Sequence, residues 1–372
     1  MTRIAIVQPY VPSYRIAFFE RVIAELKANG HECFVVSGTP TGDAAVRGDA
    51  KSPSWLKART THELSIAGKR LRWHSSWKSW RKADYYVVEL SSTSIDSLVT
   101  LWCKPGRTIT WGHVKSYTSH PNKLSETIKV WQMRRSRLTF AYTHGGAREA
   151  ISKGLSPDKI VTLMNTIDLN ELQQAVETAR SISTDAVQLE LDVPHPELTV
   201  SMIGSLDSSK RVKFVGDVLD ELWKIDRKIL LLVGGLGKDS WMLDAASKRG
   251  QVRMLGRVDS ILKAKMSKVS QLLINPGRIG LIAPESFVLG LPILTTDWPF
   301  HAPENEYLEI GTDSLLLPND PQKFAVTLRN QIHDESLTDL RMACRAKSGT
   351  PSLEHMVKAF SDGILDVVER RD

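Results

Sequence analysis

Strand-like and helix-like runs alternate along this chain, and the alternation comes in two series. In the first, "RIAIVQPYV", "HECFVVSG", "DYYVVEL", "RTITWGH", "RLTFAYT" and "PDKIVTLMN" are short apolar, β-rich runs. "AFFERVIAELKANG" has helical spacing and stops at Gly30. After the polar, proline-bearing stretch 183–196 the rhythm restarts with "LTVSMIGSL", "KILLLVGG", "QVRMLG", "QLLINPG" and "LPILTTD". "KRVKFVGDVLDELWKI", "KDSWMLDAASKRG", "SILKAKMSKV" and "APESFVLG" read as the helices between them. Strands closely flanked by helices favour parallel sheets covered on both faces. The expectation is therefore an α/β chain of two doubly wound domains, residues 1–182 and 197–350, with 183–196 as linker. An amphipathic helix closes the chain over 351–372. Ligands of such sheets bind beyond the carboxyl ends of the strands.

Composition narrows the classes. The 372 residues hold 42% hydrophobic and 24% charged side chains, ordinary for a globular protein. No run of about 18 apolar residues is present to span a membrane. The amino terminus enters a strand directly, without a leader pattern, and three scattered cysteines form no disulfide framework. A cytoplasmic protein is expected. Charge is uneven: residues 1–180 carry 26 Lys+Arg against 15 Asp+Glu, and residues 181–372 carry 23 against 27. The basic character peaks at Lys51–Lys82, with nine Lys/Arg, the single acid Glu63, and Trp55, Trp73, Trp77 and Trp80. Such a segment suits the inner face of an anionic membrane. It equally suits a solvated basic face with some tryptophans in the core. No nucleic-acid-binding motif accompanies it, so no nucleic-acid partner is expected.

Four stretches bear on chemistry. In "NPGRIGLIAPESFVLG" a strand ends in a turn where Gly277 and Gly280 can take positive φ, before a helix with Pro284 in its first turn. Glu285 then lies near the helix start, where it either meets a ligand or complements the helix dipole, and amides at Gly280 and Leu281 suit a phosphate or hydroxyl. In "SMIGSLDSSKRVKF" a turn at Gly204 leads to a helix opening with Lys210 and Arg211. A lysine there opposes the dipole, which points to an anionic ligand or to an exposed basic turn. "TITWGH" ends a strand in His113, a residue able to donate to a substrate oxygen or to serve as a structural hydrogen-bonding group. "LLLVGGLGKD" is a glycine turn without dinucleotide spacing. Nucleophile-elbow, zinc-protease, Walker A and Cys/His metal patterns are missing from the sequence.

Taken in order, these segments resemble the family-4 glycosyltransferases, retaining enzymes of the GT-B fold, in their bacterial surface-polysaccharide branch. The similarity runs over "QPYVPSYRIAFFERV", "ITWGH", "FAYTHGGAREAISKGLSPDKIVTLMNTIDLNEL", "IGSLDSSKRVKFVGDVLDEL" and "PGRIGLIAPESFVLGLPILTTD". The resemblance implies two Rossmann-like domains facing a central cleft, the last helix packing back on the N-terminal domain. It implies an acceptor-binding N-terminal domain and a donor-binding C-terminal one. The donor would be a nucleoside-diphosphate sugar, UDP-sugar favoured over GDP-sugar, with no cofactor and no metal. The acceptor would be a glycan or glycolipid hydroxyl.

Carried over by position, Lys210 would bind the diphosphate, Glu285 the ribose, and Gly280 and Leu281 the donor sugar or phosphate. Gly204, Ser205, Arg211 and Arg278 complete the expected donor set. His113 would sit near the reacting sugar, with Tyr14 and Arg15 on the acceptor side. Asn165 and Asp168 would brace the interdomain hinge. Two positions depart from the family pattern: Ser205 stands where an arginine is usual, and Gly277 where the first of two glutamates is usual. Arg278 or Arg211 would then replace the missing arginine. A GT-B nucleotide-sugar epimerase and a non-catalytic nucleotide-binding homologue share these features.

Overall fold

The computed structural model describes residues 1–41, 45, 49–66, 69–74, 80–117, 120, 122–193, 198–331 and 336–370. The chain divides into two compact units, Met1–Asp168 with Pro351–Asp372, and Leu169–Thr350.

The first unit contains β1 (Arg3–Gln8), β2 (Glu32–Gly38), β3 (Leu56–Arg59), β4 (Thr61–Ile66), β5 (Lys69–His74), β6 (Tyr85–Glu89), β7 (Thr108–Gly112), β8 (Leu138–Ala141) and β9 (Ile160–Thr162). Seven of these form a sheet in the order β3-β2-β1-β6-β7-β8-β9. Its pairings are all parallel. The order therefore reverses between β1 and β6. Strand alternation divides β1 between two cores. Ile4 and Ile6 join Phe18, Phe19 and Phe360 on one side, and Ala5 and Val7 join Phe34, Trp80 and Tyr86 on the other. The closing helix, Leu353–Glu369, belongs to this unit, as expected. Its Phe360 ring lies 4.5 Å from Phe140, 5.0 Å from Trp111 and 5.1 Å from Phe18.

β4 and β5 form an antiparallel pair that the sequence did not suggest. Some tryptophans of the basic region are thereby built into the fold, while Lys51, Arg70, Arg81 and Lys82 are exposed. Trp80 is fully buried, Trp55 packs 6.0 Å from Phe19, and Trp73 stacks on His62 at 5.5 Å. Lys57 sits over the Phe34 ring. Trp77 lies outside the described residues.

The second unit contains β10 (Leu198–Ile203), β11 (Ile229–Gly234), β12 (Val252–Gly256), β13 (Leu272–Ile274), β14 (Ile293–Thr295) and β15 (Ser314–Leu316). They lie in the order β12-β11-β10-β13-β14-β15, all parallel. This is the nucleotide-fold order, with its reversal between β10 and β13. Leu198, Val200 and Met202 of β10 pack with Val215, Leu219 and Leu222 of the helix Val212–Ile225. The stretch 183–196, expected as a linker, carries the helix Thr184–Glu190, capped by Ser183 and burying Val187. It lies within the second unit, and the chain passes between units at Asp168 and Leu169. Residues 194–196 lie outside the described residues.

Candidate functional site

At the reversal point of the second sheet, the turns after β10, β11, β13 and β14 meet. Close backbone approach explains their glycines. A Cβ on Gly235 would stand 1.8 Å from the Gly204 carbonyl oxygen, and one on Gly237 2.1 Å from that of Leu206. A Cβ on Gly277 would stand 2.3 Å from the Ser209 carbonyl oxygen. Neither Gly277 nor Gly280 uses the positive φ open to a glycine, whereas Gly204 does, at 134°. The glycines of "LLLVGGLGKD" therefore seat the Gly204 turn against its neighbour.

The Gly204–Arg211 turn is held from within. Asp207 accepts from Ser205 Oγ at 2.9 Å and from the Ser209 amide at 2.9 Å. Burial alone would raise its pKa, but these hydrogen bonds, with Lys210 nearby, hold it below the usual carboxylate range. Ser205 is thereby a brace for the turn. Lys210 lies on a 3-10 turn, Ser208–Lys210, and not on the expected helix. Arg211 follows in the left-handed region at φ 54°, so the α-helix opens only at Val212. Lys210 is half-buried, and its Nζ donates to the Arg278 carbonyl at 2.6 Å. Burial, and Arg278 nearby, push its pKa down to about 8, against the opposing pull of Asp207 and Glu285.

Arg211 donates to the Pro276 carbonyl at 3.2 Å and to Thr296 Oγ1 at 2.9 Å. Its guanidinium lies over the rings of Phe214 and Trp298. It clamps the turns together. Arg278 donates its amide to the Ser209 carbonyl at 2.7 Å and its Nε to the Phe300 carbonyl at 3.4 Å. Glu285 pairs with Lys263 at 2.6 Å, in the first turn of the helix Ile282–Leu289.

Three participants were missed in the sequence: Asp207, His301 and Glu304. His301 Nδ1 accepts from the Ile279 amide at 3.2 Å, and its Nε2 lies 3.2 Å from the Thr296 carbonyl. Those contacts specify a neutral ring protonated on Nε2. Burial lowers its pKa. Glu304 is buried, with Oε2 3.7 Å from where a Gly280 Cβ would stand. Asp207 lies within the Gly204–Arg211 turn as its internal acceptor, whereas His301 and Glu304 come from a turn distant in sequence and no short motif marks them.

In the first unit, His113 follows β7 and packs edge-on to Tyr142 at 4.8 Å and Tyr117 at 5.6 Å. Arg15, expected on the acceptor side, is 7% exposed. Its guanidinium donates to Asn165 Oδ1 and to the Thr166 carbonyl, amid the rings of Phe18, Trp111 and Tyr142. Tyr14 beside it is exposed. Asp168 pairs with Arg21 at 3.0 Å, and Arg21 also pairs with Glu354. The helix Ile16–Ala28 thus grips both the segment leaving the first unit and the segment returning to it. Among the described residues, no cluster of three His, Cys, Asp or Glu is arranged to hold a metal.

No protein-family model and no curated sequence matches the chain. Solved structures do match along its whole length. A glycosyltransferase from Rickettsia africae ESF-5 superposes with a TM-score of 0.68 at 14% identity, covering 100% of this chain and 99% of that one. The fold is GT-B. WaaG, a glycosyltransferase involved in lipopolysaccharide biosynthesis, gives 0.66 at 15% identity, covering 97% and 99%. Anabaena Alr3699/HepE in complex with UDP gives 0.66 at 12% identity, covering 98% and 100%. These likenesses agree with the two parallel α/β units.

Proposed function

We propose that this GT-B protein transfers a sugar from a nucleoside-diphosphate sugar, a UDP-sugar in preference to a GDP-sugar, to a glycan or glycolipid hydroxyl. The observation that carries this reading is Lys210, a half-buried cation at the reversal point of a nucleotide-fold sheet, pushed down to about 8 by burial. A desolvated cation at that place is costly unless an anion joins it. UDP in the HepE complex supports the choice of base.

On this reading the diphosphate of the departing nucleotide accumulates charge as the glycosidic bond breaks. Lys210 and the amides around Gly204 and Gly280 stabilise it, and no metal step is assigned. Loss of one such donor typically slows transfer by about 100- to 1,000-fold. Arg211, Arg278 and His301 act at one remove, by fixing the turns that carry those amides. Glu285 reaches the ribose by exchanging its partner Lys263 for a ribose hydroxyl. His113 serves the reacting sugar from the first unit, with Tyr14 towards the acceptor. Retention of anomeric configuration, a cytoplasmic location and peripheral contact with an anionic membrane through the Lys51–Lys82 region belong to the same proposal.

The test is release of nucleotide from a panel of UDP- and GDP-sugars, incubated with lipid and glycan extracts in the presence of EDTA. Acceptor-dependent release with an α-linked product from an α-linked donor is expected. Turnover of donor without acceptor to an epimerised nucleotide sugar would replace the transferase reading with that of an epimerase. No turnover of any donor would contradict both.

A further inference from the structure

The first sheet has its own reversal point, between β1 and β6, and the end residues of those strands are Gln8 and Glu89. The parallel register Ile4↔Tyr85, Ala5↔Tyr86, Ile6↔Val87 brings the two strand ends side by side. Gln8 Nε2 is buried and has no hydrogen-bond partner among the described residues. An amide N–H left unmade in that way costs free energy, and native proteins normally satisfy it with protein, water or ligand. Glu89 is paired with Arg72 of β5, each side chain about one quarter exposed at 25% and 26%.

The β4–β5 hairpin is built to deliver Arg72 there. The Arg72 amide donates to the Thr93 carbonyl at 2.9 Å, just beyond β6. Next along β5, His74 is buried against Asp96, whose Oδ2 accepts the His74 amide at 2.8 Å. Room for the hairpin comes from Gly38 at the end of β2. A Cβ there would stand 2.1 Å from Thr61 Oγ1 and 2.6 Å from His74 Nε2. None of this is needed to close a doubly wound sheet. It places an arginine beside the reversal point, where such sheets take ligands.

We propose that Gln8, Glu89 and Arg72 form a hydroxyl-reading subsite for a neutral sugar, the acceptor's glycosyl unit, in the first unit. The proposal rests on the transferase reading for the word acceptor, but its physical basis is separate. A sugar hydroxyl both donates and accepts, so it is matched by a carboxylate beside an amide or guanidinium donor. Arg72 and Glu89 neutralise each other, and Lys129, a further cation acting on Glu89, is offset by its own partner Glu126, so the site favours an uncharged polyol over a phosphate. Glu89 accepts hydrogen bonds from the hydroxyls, Gln8 donates its unmatched N–H to them, and Arg72 holds the Glu89 carboxylate in place.

The experiment is saturation-transfer NMR with methyl α-glucoside, methyl α-galactoside and methyl N-acetyl-α-glucosaminide on the full chain. It compares wild type with Glu89→Gln and Gln8→Ala, and UDP binding is titrated on the same samples. At least one glycoside should give saturation transfer in wild type. Either substitution should weaken its binding by about tenfold, as for loss of a hydrogen bond to a charged or buried group. UDP affinity should stay within about twofold of wild type in both variants, since neither residue belongs to the unit that carries the proposed nucleotide site. No glycoside signal in wild type, or equal signals in folded Gln8→Ala and wild type, overturns the subsite. Gln8→Ala keeps the test decisive should Glu89→Gln not fold, because it removes no ion pair. Failure of UDP to bind would strike the transferase reading alone and leave the glycoside result to be judged by itself.

Discussion

Lys210 and His301 make opposite demands on pH. Burial brings the Lys210 ammonium down to about 8, from 10.5. Between those values the unfolded chain holds more protons at this group, so its contribution to stability rises as pH climbs from about 8 towards 10.5. Affinity for a nucleoside diphosphate runs the other way, since it needs the proton. Titration of UDP should show binding intact below pH 8 and weakening above it, a trend absent in Lys210→Ala. His301 is stabilised neutral, its pKa lowered from 6.5 by burial. Its contribution is complete above 6.5 and is lost as pH falls below that value. His301→Ala leaves the Ile279 amide without its acceptor, a cost of about 1–3 kcal/mol. The expected reading is a raised KM for donor with a smaller change in kcat. Unchanged donor kinetics would remove His301 from the site.

At the scale of elements, the turns matter more than the strands that carry them. Gly235→Ala places a methyl 1.8 Å from the Gly204 carbonyl oxygen, and such overpacking typically costs about 1–3 kcal/mol. Thermal denaturation should show that loss together with weakened UDP binding. Gly106→Ala, with nothing within 4 Å, serves as the neutral control. The strands around these turns were legible because parallel strands buried on both faces are continuous apolar runs, as in "ILLLVG". The hairpin β4–β5 was not, since in "THELSI" and "KRLRWH" the few apolar positions are outnumbered by charged and polar side chains, and the segment suited a membrane-facing stretch or a solvated basic face equally well. The order Gly204, Lys210, Gly277, Glu285 was visible as spacing. That Arg211 would break the helix start at φ 54° was not, because only tertiary bonds to Pro276 and Thr296 stabilise that conformation. Nor did polarity in 183–196 betray a helix seated on Val187.

For the whole molecule, the two units are assembled differently from the chain. The second is one continuous stretch, Leu169–Thr350, whereas the first needs Pro351–Asp372 to return to it. Removing residues 351–372 strips Met356, Phe360 and Ile364 from the core shared with Phe18 and Trp111. Loss of one such phenylalanine alone costs about 3–5 kcal/mol. Truncation at Thr350 should therefore unfold the first unit, read by protease digestion, while the second survives as a resistant fragment that still binds UDP. The proposed nucleotide-sugar site, built around Lys210, belongs to this second unit. A thermal-shift panel of UDP, GDP, dTDP and their common sugars, without added metal, on wild type and Lys210→Ala tests it most directly. Ligand at a hundredfold excess over its Kd adds about 2.7 kcal/mol to stability. Tm should rise clearly for one nucleotide series, uridine first, and the rise should vanish in the variant. A wild type unmoved by every nucleotide, or a shift equally large in Lys210→Ala, would contradict it.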